Sequence, residues 1–150
     1  MSWKTASAYQ RLLGFETGAV IKDWGGKTPV ALAFPNTYHA GMSNLGFQAM
    51  YGLLNSFTDV VCERLFLPSR TLFLEHLRTG TPLLSLESRR PAAEFELIAF
   101  SLSHENDYPN LVRMLRLAGI PPRRADRDEK SPLIVAGGVC VKSNPEPLAE

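Results

Sequence analysis

Along this chain, short unbroken apolar runs alternate with stretches in which apolar residues recur every three or four positions. The run Val30-Ala-Leu-Ala-Phe34 reads as a strand covered on both faces. A polar loop, Pro35–Gly41, follows with the loop formers Pro35, Asn36 and Gly41. Leu45, Ala49, Met50, Leu53 and Leu54 then mark an amphipathic helix, capped by Ser43 or Asn44. Gly52 inside that helix suggests close packing against a neighbour or against a ligand. Val60–Arg64 is the next strand, ended at Pro68. Ser69 caps a helix to Arg78, which Gly80 and Pro82 stop. Leu83–Leu86 is a short strand candidate, and Glu96–Ser103 a clear strand. A helix begins at Asn106 or Asp107, with Pro109 in its first turn, and Gly119 follows its end. Leu133–Ala136 is expected to be a buried strand ending in Gly137-Gly138.

Residues 1–29 read as an N-terminal extension packed on the sheet, with a helix over Ala6–Leu13 and with Trp3 and Trp24 making the contact. Residues 30–150 read as one α/β domain, incomplete at its C-terminus and lacking its last strand. Pro121–Pro132 is a solvated connector. Alternating strands and helices imply right-handed crossovers between parallel strands.

Parallel strands bring three loops to one edge, Pro35–Gly41, Ser101–Asp107 and Gly137–Cys140, where ligands sit in open α/β sheets. The candidate site residues are Asn36, Thr37, Tyr38, His39, Gly41, Ser101, Ser103, Gly137 and Gly138. Gly137-Gly138 offers either close backbone approach to a ligand or a tight turn. His39 is a general base, a metal ligand or a surface side chain. His104-Glu105 is similar, and Asp107 reads as a helix cap. His76 reads as solvated and Cys62 as core, while Arg89-Arg90 is either a solvated pair ahead of Pro91 or a holder of an anionic ligand. Cys140 has no neighbouring base to activate it. No phosphate-loop or dinucleotide glycine motif occurs, and no residues make up a catalytic set or a metal cluster.

A length of 150 residues fits about one domain. With 45% hydrophobic and 21% charged residues, the chain is globular rather than disordered. A net charge of +1 gives no field to gather nucleic acid or an anionic membrane. The first residues lack a signal-peptide pattern, and no apolar run approaches the roughly 18 residues of a membrane span. Two cysteines form no framework or Cys-x-x-Cys pair. A reduced, cytoplasmic setting is expected.

Ala33-Phe-Pro-Asn-Thr-Tyr38, Gly41-Met-Ser-Asn-Leu-Gly46, Leu86-Glu-Ser-Arg-Arg-Pro91, Ala99-Phe-Ser-Leu-Ser103, Ala118-Gly-Ile-Pro121, Ala136-Gly-Gly138 and Asn144-Pro-Glu-Pro-Leu-Ala149 together resemble the N-terminal region of a family of radical S-adenosylmethionine (radical SAM) proteins. The resemblance implies a cobalamin-binding-like domain with a flavodoxin-like (Rossmann-like) parallel sheet and helices on both faces. It also implies a downstream radical domain as partner, where a [4Fe-4S] cluster and S-adenosylmethionine would be held by a CxxxCxxC motif absent from these residues. The cobalamin signature Asp-x-His-x-x-Gly is degraded. Thr37 stands where the aspartate belongs, Gly41 comes one residue early, and Phe100 occupies the serine position of Ser-x-Leu. Cobalamin is therefore expected only in a histidine-off form. The alternatives are a ligand-free docking module of the same fold, or a flavodoxin-like domain for a nucleotide or flavin. An exposed sheet edge would also allow a homodimer.

Overall fold

The computed structural model describes residues 3–149; Met1, Ser2 and Glu150, at the ends of the two expected segments, lie outside the described residues. The elements run α1 (Trp3–Gly14), β1 (Thr28–Phe34), α2 (Tyr38–Met42), α3 (Leu45–Ser56), β2 (Val60–Phe66), α4 (Arg70–Thr79), β3 (Leu97–Ser101), α5 (Asp107–Leu117), β4 (Leu133–Gly137) and α6 (Val139–Ser143). All the strand pairings are parallel, in the order β2-β1-β3-β4. This is a flavodoxin-like α/β sheet, in which the direction of winding reverses between β1 and β3.

β1 lies at the centre because its side chains are buried on both faces from Pro29 onward. On one face Ala31, Ala33, Leu65, Ile98 and Phe100 pack with Leu111, Met114 and Leu115 of α5. On the other, Leu32, Phe34, Cys62 and Phe66 pack with Phe47 and Tyr51 of α3 and Tyr9 of α1. Each large apolar side chain so buried contributes about 1.5–3 kcal/mol. Burial pushes the Cys62 thiol up to about 12, which makes it an inert core residue.

Local signals act where the sequence places them. Asn44 Oδ1 accepts from Phe47 N at 2.9 Å to cap α3, and Ser69 Oγ accepts from Leu72 N at 3.4 Å to cap α4. Gly80 ends α4 in the left-handed region at φ 63°, a geometry glycine adopts at no steric cost.

Several expectations are corrected. Leu83–Leu86 is no strand: it makes one antiparallel bridge, Leu84 to Pro91. Its leucines are buried because the segment runs from the end of α5 to the free edge of β2, donating from Leu83 N to Leu117 O and from Leu86 N to Arg64 O, with Leu83 in the core of one face and Leu84 and Leu86 in that of the other. β4 is not buried. Alternate residues face solvent, Leu133 at 61% and Val135 at 39% exposure, because only the α5 face of this edge strand is covered. Trp3 is 74% exposed and does not join the sheet, whereas Trp24 packs edge-on against Phe95 at 4.6 Å. Nothing lies near the space a Cβ would take at Gly52, so that glycine marks no close contact. Asp107 does not cap its own helix. Its Oδ2 accepts from Ser103 N and His104 N, closing the preceding loop. Arg90 is not simply solvated, since its guanidinium stacks 4.3 Å from the Trp24 ring centroid.

His76 is also corrected, from solvated to fully buried. Its Nδ1 lies 3.0 Å from the Thr81 carbonyl oxygen, which only an N–H can engage, so Nε2 is left to accept from the Tyr9 hydroxyl at 3.5 Å. Burial lowers its pKa below the ordinary 6.5. A depressed histidine adds stability above the unfolded-state pKa and loses it as pH falls. The thermal midpoint should therefore drop below pH 6.5, and the drop should be shallower in His76→Gln; parallel melting curves for the two proteins would exclude this ring as the titrating group.

Candidate functional site

The carboxyl edge is built from the β1 loop outward. After Phe34 the chain turns sharply, with Asn36 N donating to Phe34 O at 2.8 Å, and Leu67 N donates to Asn36 O at 3.0 Å. Those bonds stitch the ends of β1 and β2 together. Thr37 N donates to Asn36 Oδ1 at 2.8 Å. The expected loop then becomes a helical turn, α2, with Gly41 N donating to Thr37 O. A Cβ at Gly41 would sit 2.5 Å from the Phe66 ring, so this glycine is there for packing.

Thr37, Tyr38 and His39 line a mostly apolar cleft of about 350 Å³ whose walls include Tyr9, Arg11 and Leu72 of α1 and α4. The Tyr38 ring packs edge-on against Phe66 at 5.4 Å and His39 at 5.3 Å, and its hydroxyl donates to Glu16 Oε1 at 2.7 Å. Burial, reinforced by the hydrogen bond to the Glu16 carboxylate, holds its pKa up at about 12. Tyr38 is thus a protonated donor at neutral pH. His39 is exposed.

Glu16 continues inward to a cluster that the sequence reading missed. Arg64, only 2% exposed, donates from Nη2 to Glu16 Oε2 at 2.6 Å and from Nε to Glu87 Oε1 at 2.7 Å. The Arg64 backbone N–H donates to Glu87 Oε2 at 2.8 Å. Its guanidinium lies 4.4 Å from the Tyr51 ring centroid, and the Tyr51 hydroxyl accepts from Val20 N at 2.9 Å. The signal was the charged pair Glu63-Arg64 inside an otherwise apolar strand. Glu63, on the opposite face, accepts from Trp24 Nε1 at 2.7 Å and Ser88 Oγ at 2.6 Å.

The nine candidate residues separate into two groups. Ser101 is half-buried beside Gly137. Ser103 Oγ accepts from Asn44 Nδ2 at 3.1 Å, a bond that spans the β1 and β3 sides of the switch point. Leu102 N donates to Gly137 O at 2.8 Å. A Cβ at Gly138, where φ is +112°, would overlap the Leu102 carbonyl oxygen, while the corresponding space at Gly137 is open. None of Ser101, Ser103, Gly137 and Gly138 lines the cleft beside Tyr38.

These contacts bear on which groups the edge can hold. The exposed His39 ring packs edge-on against Tyr38, and the Asn44–Ser103 bond links the loops after β1 and β3. The space at Gly137 is open, whereas Asp107 is fully enclosed, its Oδ1 having no hydrogen-bond partner among the described residues. Among the described residues no three His, Cys, Asp or Glu side chains group as a metal site, and no helix is long and apolar enough to cross a membrane.

The doubly wound parallel sheet with polar loops at its carboxyl edge is that of a flavodoxin-like α/β domain. Comparison with known proteins gives its family. The model of radical SAM proteins, N-terminal, matches residues 46–150, and the chain belongs to that family. It is also 26% identical over 121 residues to the uncharacterized protein MJ0966 of Methanocaldococcus jannaschii, an alignment covering 81% of this chain and 21% of that protein. The chain thus spans about a fifth of that relative's length. No solved structure matches. The family match includes Ser101, Ser103, Gly137 and Gly138 and begins after Asn36–Gly41.

Arg64→Met leaves the Glu16 and Glu87 carboxylates buried without their cation. It should cost about 3–5 kcal/mol in urea unfolding, and a loss below about 1 kcal/mol would show that the extension does not depend on this cluster. Gly138→Ala should destabilise by about 1–3 kcal/mol or more, whereas Gly137→Ala should stay within about 0.5 kcal/mol. Equal effects at the two glycines would contradict the close approach of Leu102.

Proposed function

We propose that this chain is the N-terminal, cobalamin-binding-like domain of a radical SAM, iron-sulfur-dependent protein, and that it performs no reaction by itself. The observation that carries the reading is the family match over residues 46–150 on a sheet whose carboxyl edge gathers polar loops without a catalytic set. Cluster and S-adenosylmethionine belong to a radical domain elsewhere in a longer protein, because the two cysteines here cannot supply three thiolates. A cytoplasmic setting goes with this reading. The radical domain is the expected partner. The exposed Leu133 and Val135 of β4, and Leu45, Met50 and Leu53 of α3 on the same sheet face, are the apolar surface a neighbouring domain would cover. Pairing of two copies along β4 is the alternative use of that edge.

In the ligand-bearing form, a histidine-off corrin rests against the β3–β4 edge, where Gly137 offers open space in place of a Cβ and its half-buried register partner Ser101 offers a hydroxyl. A corrin's cobalt would supply methyl-carrier or redox chemistry; the residues here bind and orient. The Asn44–Ser103 bond and the filled space beside Gly138 favour a second reading, a ligand-free docking domain.

Titration of the protein with hydroxocobalamin, followed by absorbance, separates the two. The ligand-bearing form predicts a saturable spectral change, weakened about tenfold or more by Gly137→Val, which is open enough to fold normally. A linear, unsaturating response would leave docking as the function, and a saturable one indifferent to that substitution would put the ligand away from Gly137.

A further inference from the structure

Between α4 and α5 runs an open groove of about 720 Å³ that reaches the carboxyl edge at Thr37. Two helical stripes form it. On α4, Arg70, Phe73, Leu74 and Leu77 fall at three- and four-residue spacing; on α5, Arg113, Arg116 and Leu117 do the same. Leu74 and Leu77 are 56% and 59% exposed. Leu117 is buried, while Phe73 and Leu67 are half-buried, so an apolar floor continues into the core. The rim is different. Arg70, Arg113 and Arg116 are exposed, and no aspartate or glutamate lines the groove. The hydrogen bond the structure gives Arg113 goes to Asn110 Oδ1, within its own helix. With 16 basic and 15 acidic residues in the chain, a rim of three arginines without a carboxylate is a local arrangement and not a reflection of overall charge.

We propose that this groove docks an amphipathic helix of a partner protein, one with a leucine-type stripe flanked by glutamates or aspartates. Arg70 lies on one side of the floor and Arg113 and Arg116 on the other, so a helix laid along it meets a cation on each flank. This is helix-in-groove recognition with charge setting the orientation. Arg70 to Leu77 spans about 10 Å of helix axis, which matches a partner stripe of about two turns. A second copy of this chain offering the exposed apolar face of α3 lacks the complementary charge, because α3 contains no acidic residue. A small amphiphile is disfavoured because ligand pockets bury about 70–90% of their occupant, and a floor whose leucines are more than half exposed is too shallow for that.

The test uses the whole chain and a fluorescein-labelled peptide of about four helical turns, with leucines at helical spacing and glutamates on both flanks. Fluorescence anisotropy should show saturable binding that weakens as salt rises and falls about tenfold or more in the Arg113→Glu/Arg116→Glu variant. A peptide with lysine flanks should not bind. Leu77→Asp should also weaken binding, and far-UV circular dichroism confirms that each surface variant stays folded. No saturable binding, equal binding of the lysine peptide, or indifference to the arginine substitutions overturns the proposal. Dodecyl phosphate binding that displaces the peptide and depends on the same arginines would assign the groove to a small amphiphile instead. A concentration-dependent dimer lost in the double variant would assign it to a second copy.

Discussion

Arg64 is a buried cation in the middle of a strand that otherwise belongs in a hydrophobic core. Taking a guanidinium out of water costs several kcal/mol unless it is paired and hydrogen-bonded, and here it has both. Glu87 takes its Nε and its backbone N–H, Glu16 takes Nη2, and Tyr51 lies under its face. The partners come from three distant stretches: the extension after α1, the helix α3 and the segment after Leu86. Satisfying one charge therefore fixes where each of them lies on the sheet. The pairs need not add net stability to do this, since a buried ion pair roughly breaks even against apolar packing. Their value is directional, because a carboxylate placed elsewhere would leave a charge stranded. Tyr38 is held through the same chain of contacts, by Glu16, so the geometry of the candidate edge depends on a group lying beneath it.

The edge itself shows how topology and chemistry part company. Parallel winding brings the ends of β1, β3 and β4 together, but bringing loops together does not make one pocket. On the β1 and β2 side the polar residues face a cleft made with α1 and α4. On the β3 and β4 side they hydrogen-bond to one another. Asn44 serves both, capping α3 through Oδ1 and reaching Ser103 through Nδ2. An amide can do this because it carries an acceptor and a donor on one planar group. The result is a switch point braced by protein groups, where related architectures leave room for a ligand.

What was legible in the sequence was whatever depends on short-range rules. The five-residue run Val30–Phe34, the cap at Asn44 and the stop at Gly80 each carry their own local cause, and the alternation of elements dictated a parallel sheet. What was not legible depends on which face meets which neighbour. Leu83–Leu86 has the apolar content of a strand, yet its burial comes from running beside the free edge of β2, with its leucines divided between the two cores. Leu133–Ala136 has the content of a central strand but lies at an edge. His76 sits among charged residues in sequence, and only the packing of α1 on α4 buries it. Glu16, Arg64 and Glu87 are separated by dozens of positions, so no periodicity connects them. The unusual Glu63-Arg64 pair within an apolar strand was the one available sign.

The glycines sharpen the same point. Gly41, Gly137 and Gly138 all stand among the candidate residues, Gly41 as a loop former and the Gly-Gly pair as either a tight turn or a place where a ligand could approach the backbone. The structure divides them by what would occupy the missing side chain. At Gly41 it is the Phe66 ring and at Gly138 the Leu102 carbonyl, so both are glycine because protein fills the space. Gly137 alone among the three faces nothing. A ligand-bearing edge therefore has to be argued from Gly137 and its register partner Ser101, and not from the Gly-Gly pair as a motif. That confines any bound group to the outer rim of β3 and β4, the side on which the sheet also exposes its apolar edge strand. A ligand there would lie between this domain and whatever covers β4, an arrangement suited to a domain that presents a group to a neighbour rather than enclosing it.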